Sequence, residues 1–161
     1  MLRRLVLAGF MAVSLVTVPG AAMPAAAASR PQPVSIVSHM TMADPNNYGD
    51  FSTSRSNLMC RKGDVLDTNL VWGDANQLPN GDWLVELTVD KTFTCATGGQ
   101  IFFRLHIHWY VHNDSVAESF TWVVLGGTGA YAHLQGQGVG VTDTRNLFVS
   151  DTNYYVGVLR G

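Results

Sequence analysis

The densest group of potentially reactive side chains lies in one short segment, residues 102–112. Alternate positions carry polar side chains, namely Arg104, His106, His108, Tyr110 and His112. If the segment is a strand, the imidazoles of His106 and His108 share a face about 7 Å apart, a spacing that metal sites use. A metal ion would need a third ligand from elsewhere in the fold. Three side chains of a suitable type are His39, Glu86 and Asp67.

The opposite face of the same segment is strongly apolar. It carries Phe103, Leu105, Ile107, Trp109 and Val111. The more apolar face of a strand is normally the buried one, so we expect the histidines to face solvent or another subunit. Two alternatives remain open: a metal site with His106 and His108 as weak candidates, and a ligand-lining role if the two faces are exchanged. We predict no resident cofactor.

A single lysine interrupts another apolar pattern, at Lys91. The simpler interpretation places it near the rim of the fold, with its stem buried and its ammonium in water. The functional interpretation is an interior cation that faces a bound anion or a developing negative charge.

Large aromatic side chains are the second feature that could serve a binding site, because they supply broad apolar walls. More often, such residues simply fill the core. The candidate cavity residues are Trp83, Lys91, Phe103, Trp109, Trp122 and Tyr131. No serine lies in a G-x-S-x-G context and no close carboxylate pair is apparent, which disfavours a hydrolase. Catalytic residues cannot be assigned from the sequence.

Strands must position these side chains, because apolar and polar residues alternate with a period of two along almost the whole chain. In residues 83–95 the odd positions are mostly apolar and the even positions mostly polar, which is typical of a strand with one buried face. The same test predicts further strands at 35–43, 49–53, 64–72, 100–112, 119–125, 136–143 and 153–159. The Thr97-Gly98-Gly99 turn predicts a hairpin. Residues 130–134 make at most one helical turn.

About eight strands with hairpin spacing and no amphipathic helix indicate an all-β fold, either a closed antiparallel barrel or a sandwich. A barrel is favoured because the last strand runs almost to the C-terminus and needs a partner. Such a barrel encloses an interior that side chains fill or that holds one small ligand. We therefore predict one domain over residues 29–161.

The N-terminus predicts export. Arg3 and Arg4 precede an apolar run that ends at Pro19, and an alanine-rich tail offers a cleavage site near Ala28. These are the parts of a secretory signal peptide, so residues 1–28 are predicted to be removed and the protein to be extracellular, with no membrane span afterwards. The remaining chain has eight basic and twelve acidic side chains, a net charge of −4. That balance argues against a nucleic-acid partner.

The two cysteines agree with export. Cys60 and Cys95 both lie in the predicted mature chain. An isolated pair in an oxidising compartment is most simply a disulfide. A reactive thiol or a metal pair is the alternative, although neither cysteine sits in a C-x-x-C arrangement.

A glycine-rich motif is the most distinctive stretch of the sequence. Residues 122–132 read Trp-Val-Val-Leu-Gly-Gly-Thr-Gly-Ala-Tyr-Ala, and Gly136, Gly138 and Gly140 follow at alternate positions. Three glycines on one strand face leave that face bare, so a bulky side chain or a neighbouring backbone can approach closely. A phosphate loop is disfavoured because no P-loop lysine or helical pattern follows.

In this motif the chain resembles the allene oxide cyclase-like and dirigent-like barrel superfamily, in particular its small secreted bacterial members. The resemblance covers about 20 residues, 122–140, with looser support from residues 91–95. It implies an eight-stranded antiparallel barrel with an apolar cavity, cyclase- or isomerase-like activity, and a homo-oligomer, either a trimer or a dimer. The matching residues are architectural, so no catalytic residue is carried over.

Three hypotheses follow from these observations. The protein binds a small apolar ligand inside a secreted barrel, or it guides cyclisation or isomerisation of a reactive molecule there by confinement. Alternatively, it is a non-catalytic extracellular structural or interaction module with a fully packed core. The sequence leaves open whether the protein is an enzyme.

Overall fold

The computed structural model describes residues 30–43, 45–54, 56–146 and 149–161. The predicted signal peptide lies outside these residues. Within them the chain forms eight strands and a single 3-10 turn at Gly129–Tyr131. The strands are β1 (Gln32–Thr41), β2 (Tyr48–Ser54), β3 (Lys62–Gln77), β4 (Trp83–Cys95), β5 (Gln100–His112), β6 (Ser115–Gly127), β7 (Gln135–Asp143) and β8 (Ser150–Arg160). No helix in this described part is long and apolar enough to cross a bilayer.

The strands form a closed antiparallel barrel in simple up-and-down order. Each strand pairs with the next one along the chain, and β8 pairs with β1 to close the ring. The predicted barrel is therefore confirmed. Consecutive antiparallel strands need only short connections, which is why turns such as Thr97-Gly98-Gly99 suffice to join them.

The alternation that predicted the strands also determines which side chains enter the barrel. On β5, Phe103, Leu105 and Ile107 are buried, whereas His106 and His108 are exposed. On β4 the buried face begins at Leu87 and runs to Cys95. The apolar row therefore faces inward and the histidine stripe faces outward, because successive side chains on a strand point to opposite sides.

One half of the barrel interior is filled by aromatic rings. Phe103 stacks on Trp122 with ring centroids 5.0 Å apart, and Phe93 lies 4.6 Å from Phe103. The bare glycine face makes room for them: a Cβ at Gly138 would lie 2.6 Å from the Trp122 ring, and one at Gly140 would lie 2.2 Å from the Phe120 ring. The glycines of the motif thus allow the bulky side chains to approach the β7 backbone.

The disulfide lies at this filled end. Cys60, in the connection between β2 and β3, bonds to Cys95 at the last position of β4, with Cα atoms 5.8 Å apart. The predicted bridge is confirmed. Met59 and Leu134 are also buried in the core at this end. The predicted helical turn at 130–134 is the short 3-10 turn, placed one residue earlier, and it crosses the same end.

Candidate functional site

The other end of the barrel holds an open cavity of ≈ 560 Å³. Its mouth lies beside the β1–β2 connection and the first residues of β8, and its walls come from the middle of β3, β4 and β5. The apolar wall consists of Leu70, Trp72, Leu87, Val89, Ile107 and Trp109, and the ionisable side chains are Asp67, Lys91, Glu118 and Asp151. The volume is within the usual range for a pocket that binds a small molecule.

An irregularity in β3 completes the apolar wall. The pairing of β3 with β4 shifts between Asp67, opposite Lys91, and Asn69, opposite Asp90. The extra residue moves the inward positions from odd to even numbers. Leu70 and Trp72 therefore turn toward the cavity, and the ring of Trp72 meets that of Trp109 edge-on at 5.6 Å. Trp72 remains 59% exposed, so it stands at the mouth.

A belt of polar side chains runs across the neighbouring strands β5 to β8 beside the cavity. Glu118 pairs across strands with Trp109 on one side and with Thr142 on the other. It accepts a hydrogen bond from Trp109 Nε1 at 2.5 Å and another from the Thr142 hydroxyl. The Thr142 oxygen also lies 3.0 Å from Asn153 Oδ1, but its single proton is donated to only one of these two acceptors at a time. The belt holds the Glu118 carboxylate in a fixed place although it is almost fully buried.

Lys91 lies deep in the same region. Its side chain is 5% exposed, and Nζ is 2.5 Å from Asp67 Oδ1. Burial disfavours the charged ammonium, but the neighbouring Tyr155 oxygen and the Asp67 carboxylate together raise the pKa of Lys91 above its ordinary value. Lys91 is thus an interior cation. The interpretation of a rim lysine with its ammonium in water is wrong, because Asp67 on the paired strand supplies the counter-charge inside.

Two further carboxyl groups share this interior. Burial raises the pKa of Asp151 to about 6, although the nearby Lys91 opposes the shift. Burial likewise raises the pKa of Glu118, against the hydrogen bonds from Thr142 and Trp109. These two groups hold protons more tightly than ordinary carboxyls do, and Asp151 changes charge near neutral pH.

Two buried hydroxyls adjoin the charged groups. Burial raises the pKa of Tyr155 to about 12, while Lys91 and Ser38 oppose that change, so the phenol stays neutral. Among the described residues neither the Tyr155 nor the Ser38 hydroxyl has a partner of good hydrogen-bond geometry. Neither side chain lines the cavity, so both belong to the closed interior next to it.

The six predicted cavity residues fall in three places. Lys91 and Trp109 line the cavity. Phe103 and Trp122 are fully buried in the filled half, and Tyr131 packs against that core at the closed end. Trp83, at the start of β4, is 43% exposed and does not line the cavity. Sequence alternation places residues inside or outside a barrel, but it does not say at which height the interior is empty.

Glu118 and Asp151 are the functional candidates that sequence reasoning missed, because the predicted strands began one or two residues later, at 119 and 153. The alternation of apolar and polar residues nevertheless indicated that both side chains point inward. Glu118 continues the inward face of Phe120 and Trp122, and Asp151 continues that of Tyr155. An acidic residue on the apolar face of a strand marks an interior charge.

The outward histidines form no metal site in the described part of the chain, where no group of three metal-ligating side chains occurs. His108 Nε2 lies 3.7 Å from Glu86, and His106 is near Thr88. His112 Nδ1 is 2.7 Å from Asp82 Oδ1. This last contact ties the end of β5 to the turn between β3 and β4.

A second depression, of ≈ 660 Å³, lies on the outer surface where β6 and β7 separate, beside Leu125, His133 and Arg160. Its lining holds no buried charged side chain, unlike that of the open cavity. The cavity is therefore the stronger candidate site.

Comparison with known proteins gives no match to a family model, to a curated protein or to a solved structure. The cavity itself is therefore the basis for assigning a function.

Proposed function

We propose that this protein is a secreted β-barrel that binds one small, largely apolar molecule in the open cavity. The observation that supports it most directly is the combination of an empty, ≈ 560 Å³ open half with a tightly filled closed half. A barrel selected only for stability gains from filling both halves, because an unfilled interior forfeits dispersion contacts. The filled half then serves as a rigid base for the site.

The lining of the open cavity is suited to catalysis as well as to simple ligand binding. Lys91, Asp67, Glu118 and Asp151 are enclosed beside the rings of Trp72 and Trp109. Charged groups fixed at low water content stabilise developing charge more effectively than the same groups in water. We therefore extend the proposal to cyclisation or isomerisation of a bound molecule by confinement, in keeping with the resemblance to the allene oxide cyclase-like and dirigent-like superfamily. Membership of that superfamily and export to the extracellular space are part of the same proposal.

A neutral apolar dye tests the cavity directly. N-phenyl-1-naphthylamine is uncharged at neutral pH and fluoresces strongly in apolar surroundings. We expect saturable one-site binding to the protein of residues 29–161. Leu87→Trp should weaken it by about tenfold or more, because a larger side chain takes up cavity space. Thr88→Trp, on the outer side of the same strand, is the matched control and should bind like the parent protein.

Circular dichroism would show that both variants are folded, and Val89→Phe offers a second way to narrow the cavity if Leu87→Trp does not fold. Absence of saturable dye binding, or equal binding by the inward and outward variants, would contradict the proposal.

A second candidate function, self-association, is favoured by one surface. The outer sides of β7 and β8 carry Val139, Val141, Tyr154, Val156 and Val158, here called the valine face. In register, Val139 lies opposite Val156 and Val141 opposite Tyr154, and four of the five side chains are about half exposed. A contiguous apolar patch across paired strands is typical of an interface. We propose a second copy of this chain as its occupant, because two such sheet faces can pack against each other.

Sedimentation equilibrium tests self-association. We expect the parent protein to form a dimer or trimer at micromolar concentration. Val156→Lys should raise the dissociation constant by at least about tenfold, because it places a charge at the centre of the interface. Leu66→Lys, on the exposed side of β3, is the control and should assemble normally. A parent protein that stays monomeric at 100 µM would overturn this assignment.

A further inference from the structure

The cavity lining carries more acidic than basic side chains. Among the described residues its lining holds one lysine and three carboxyl groups. Lys91 already forms an ion pair with Asp67, with Nζ 2.5 Å from Oδ1. Glu118 and Asp151 therefore face the cavity region without a cation of their own, although both feel the field of Lys91. Glu118 accepts a hydrogen bond from Trp109, and Asp151 accepts one from Asn153 Nδ2 at 2.5 Å. A buried carboxylate without a counter-ion is nevertheless costly, and a bound proton or a bound cation relieves that cost.

The two tryptophans add a second, independent feature that suits a cation. The rings of Trp72 and Trp109 meet at 80°, with centroids 5.6 Å apart, and form two walls of a corner at the cavity. Trp109 also donates its Nε1–H to Glu118 Oε2, so a carboxylate and an indole are held side by side. Proteins bind organic ammonium groups against indole faces, because the negative ring face attracts the cation.

An anionic ligand fits this arrangement poorly. Its carboxylate or phosphate would approach Lys91, which Asp67 already neutralises, and would lie close to Glu118 and Asp151. Like charges at short distance in a poorly hydrated site are strongly unfavourable. A fully neutral ligand would fit the apolar walls but would leave the carboxylates uncompensated.

We propose that the ligand of the open cavity is a small organic ammonium compound, with its apolar body against Leu87, Val89 and Ile107 and its cationic nitrogen between the tryptophan corner and the Glu118 and Asp151 carboxylates. This inference rests on the proposed binding function and names the ligand class.

Binding of such a cation is coupled to protonation. The groups that act electrostatically on Asp151 are Lys91 on β4, Glu118 on β6 and Asp67 on β3, with Tyr155 on its own strand. Because the pKa of Asp151 is about 6, this carboxyl is mostly ionised at pH 7.5 and mostly protonated at pH 5. Affinity for an ammonium ligand should therefore fall by about tenfold between pH 7.5 and pH 5.

Three probes of similar shape separate the alternatives: 2-phenylethylamine, 2-phenylethanol and 3-phenylpropionate. Each is titrated as a competitor of N-phenyl-1-naphthylamine and by calorimetry. We expect the amine to bind about tenfold or more tightly than the alcohol at pH 7.5, and the acid to bind most weakly. Asp151→Asn and Glu118→Gln should each remove most of the preference for the amine while still binding the dye. Glu86→Gln, an exposed carboxylate outside the barrel, is the matched control.

The outcomes distinguish this inference from the one it rests on. Equal competition by the three probes, with the dye still bound, would contradict the ammonium assignment but not the proposed binding function. Retention of the amine preference in Asp151→Asn and Glu118→Gln would have the same meaning. An affinity for the amine that does not change between pH 5 and pH 7.5 would also overturn the ammonium assignment. If neither the dye nor any probe binds, the proposed function fails as well.

Discussion

Replacement of Lys91 by methionine is expected to lower the free energy of unfolding by about 3 to 5 kcal/mol at pH 7.5. Methionine preserves most of the volume of the side chain but removes its charge. Asp67 would then lose the ammonium 2.5 Å away, and Glu118 and Asp151 would lose the only lysine among the described groups that line the cavity. Most of the loss arises because carboxylates without a partner stay buried in the folded state.

Urea unfolding at two pH values measures this effect. The loss should be smaller at pH 5, because the pKa of Asp151, raised to about 6, lets this group take up a proton there. Asp67→Asn combined with Lys91→Met should recover part of the stability, since the paired charge is then also removed. Lys62→Met, an exposed position at the start of β3, is the control. A loss below about 1 kcal/mol for Lys91→Met would show that the interior is far more hydrated than the structure indicates.

Removal of the disulfide is the other change with a large expected effect. Cys60 and Cys95 are 35 residues apart, and in the chain-entropy model a crosslink of that span stabilises a fold by about 4 kcal/mol. The double variant Cys60→Ala and Cys95→Ala should lose roughly this amount, because its unfolded chain regains the freedom that the crosslink removes.

Urea unfolding of the double variant, compared with the parent protein before and after reduction, gives the measurement. Reduction of the parent should reproduce the effect of the variant, and reductant should leave the variant unchanged. Since the bridge lies at the closed end and the cavity at the open end, dye affinity of the folded variant should stay close to the parent value. Equal stability of the oxidised parent and the variant would contradict the prediction.

The strands were predictable because alternation is a local property. On β4 and β5 each inward residue is separated from the next by one outward residue, so the pattern can be read without knowledge of the partner strands. The same holds for the bare face of β7, whose glycines accommodate Trp122 and Phe120 as expected of positions where bulky groups approach.

The candidate site was less predictable because it depends on register between strands that are distant in sequence. Lys91 and Asp67 form a pair because β3 and β4 align them, and Glu118 meets Thr142 and Trp109 through two further pairings. The bulge after Asp67 turns Trp72 inward, and nothing in the local alternation marks it. Trp83 and Tyr131, both predicted in the cavity, lie instead near the start of β4 and at the closed end.

By itself, the sequence determined the antiparallel barrel, the disulfide and the inward direction of the apolar faces, because each depends on residue type and short-range spacing. Only the tertiary structure decided that one half of the interior is filled and the other open, and that a lysine and three carboxyl groups converge there. Those features depend on how the strands are aligned with one another, because the register brings side chains from five different strands to the same cavity.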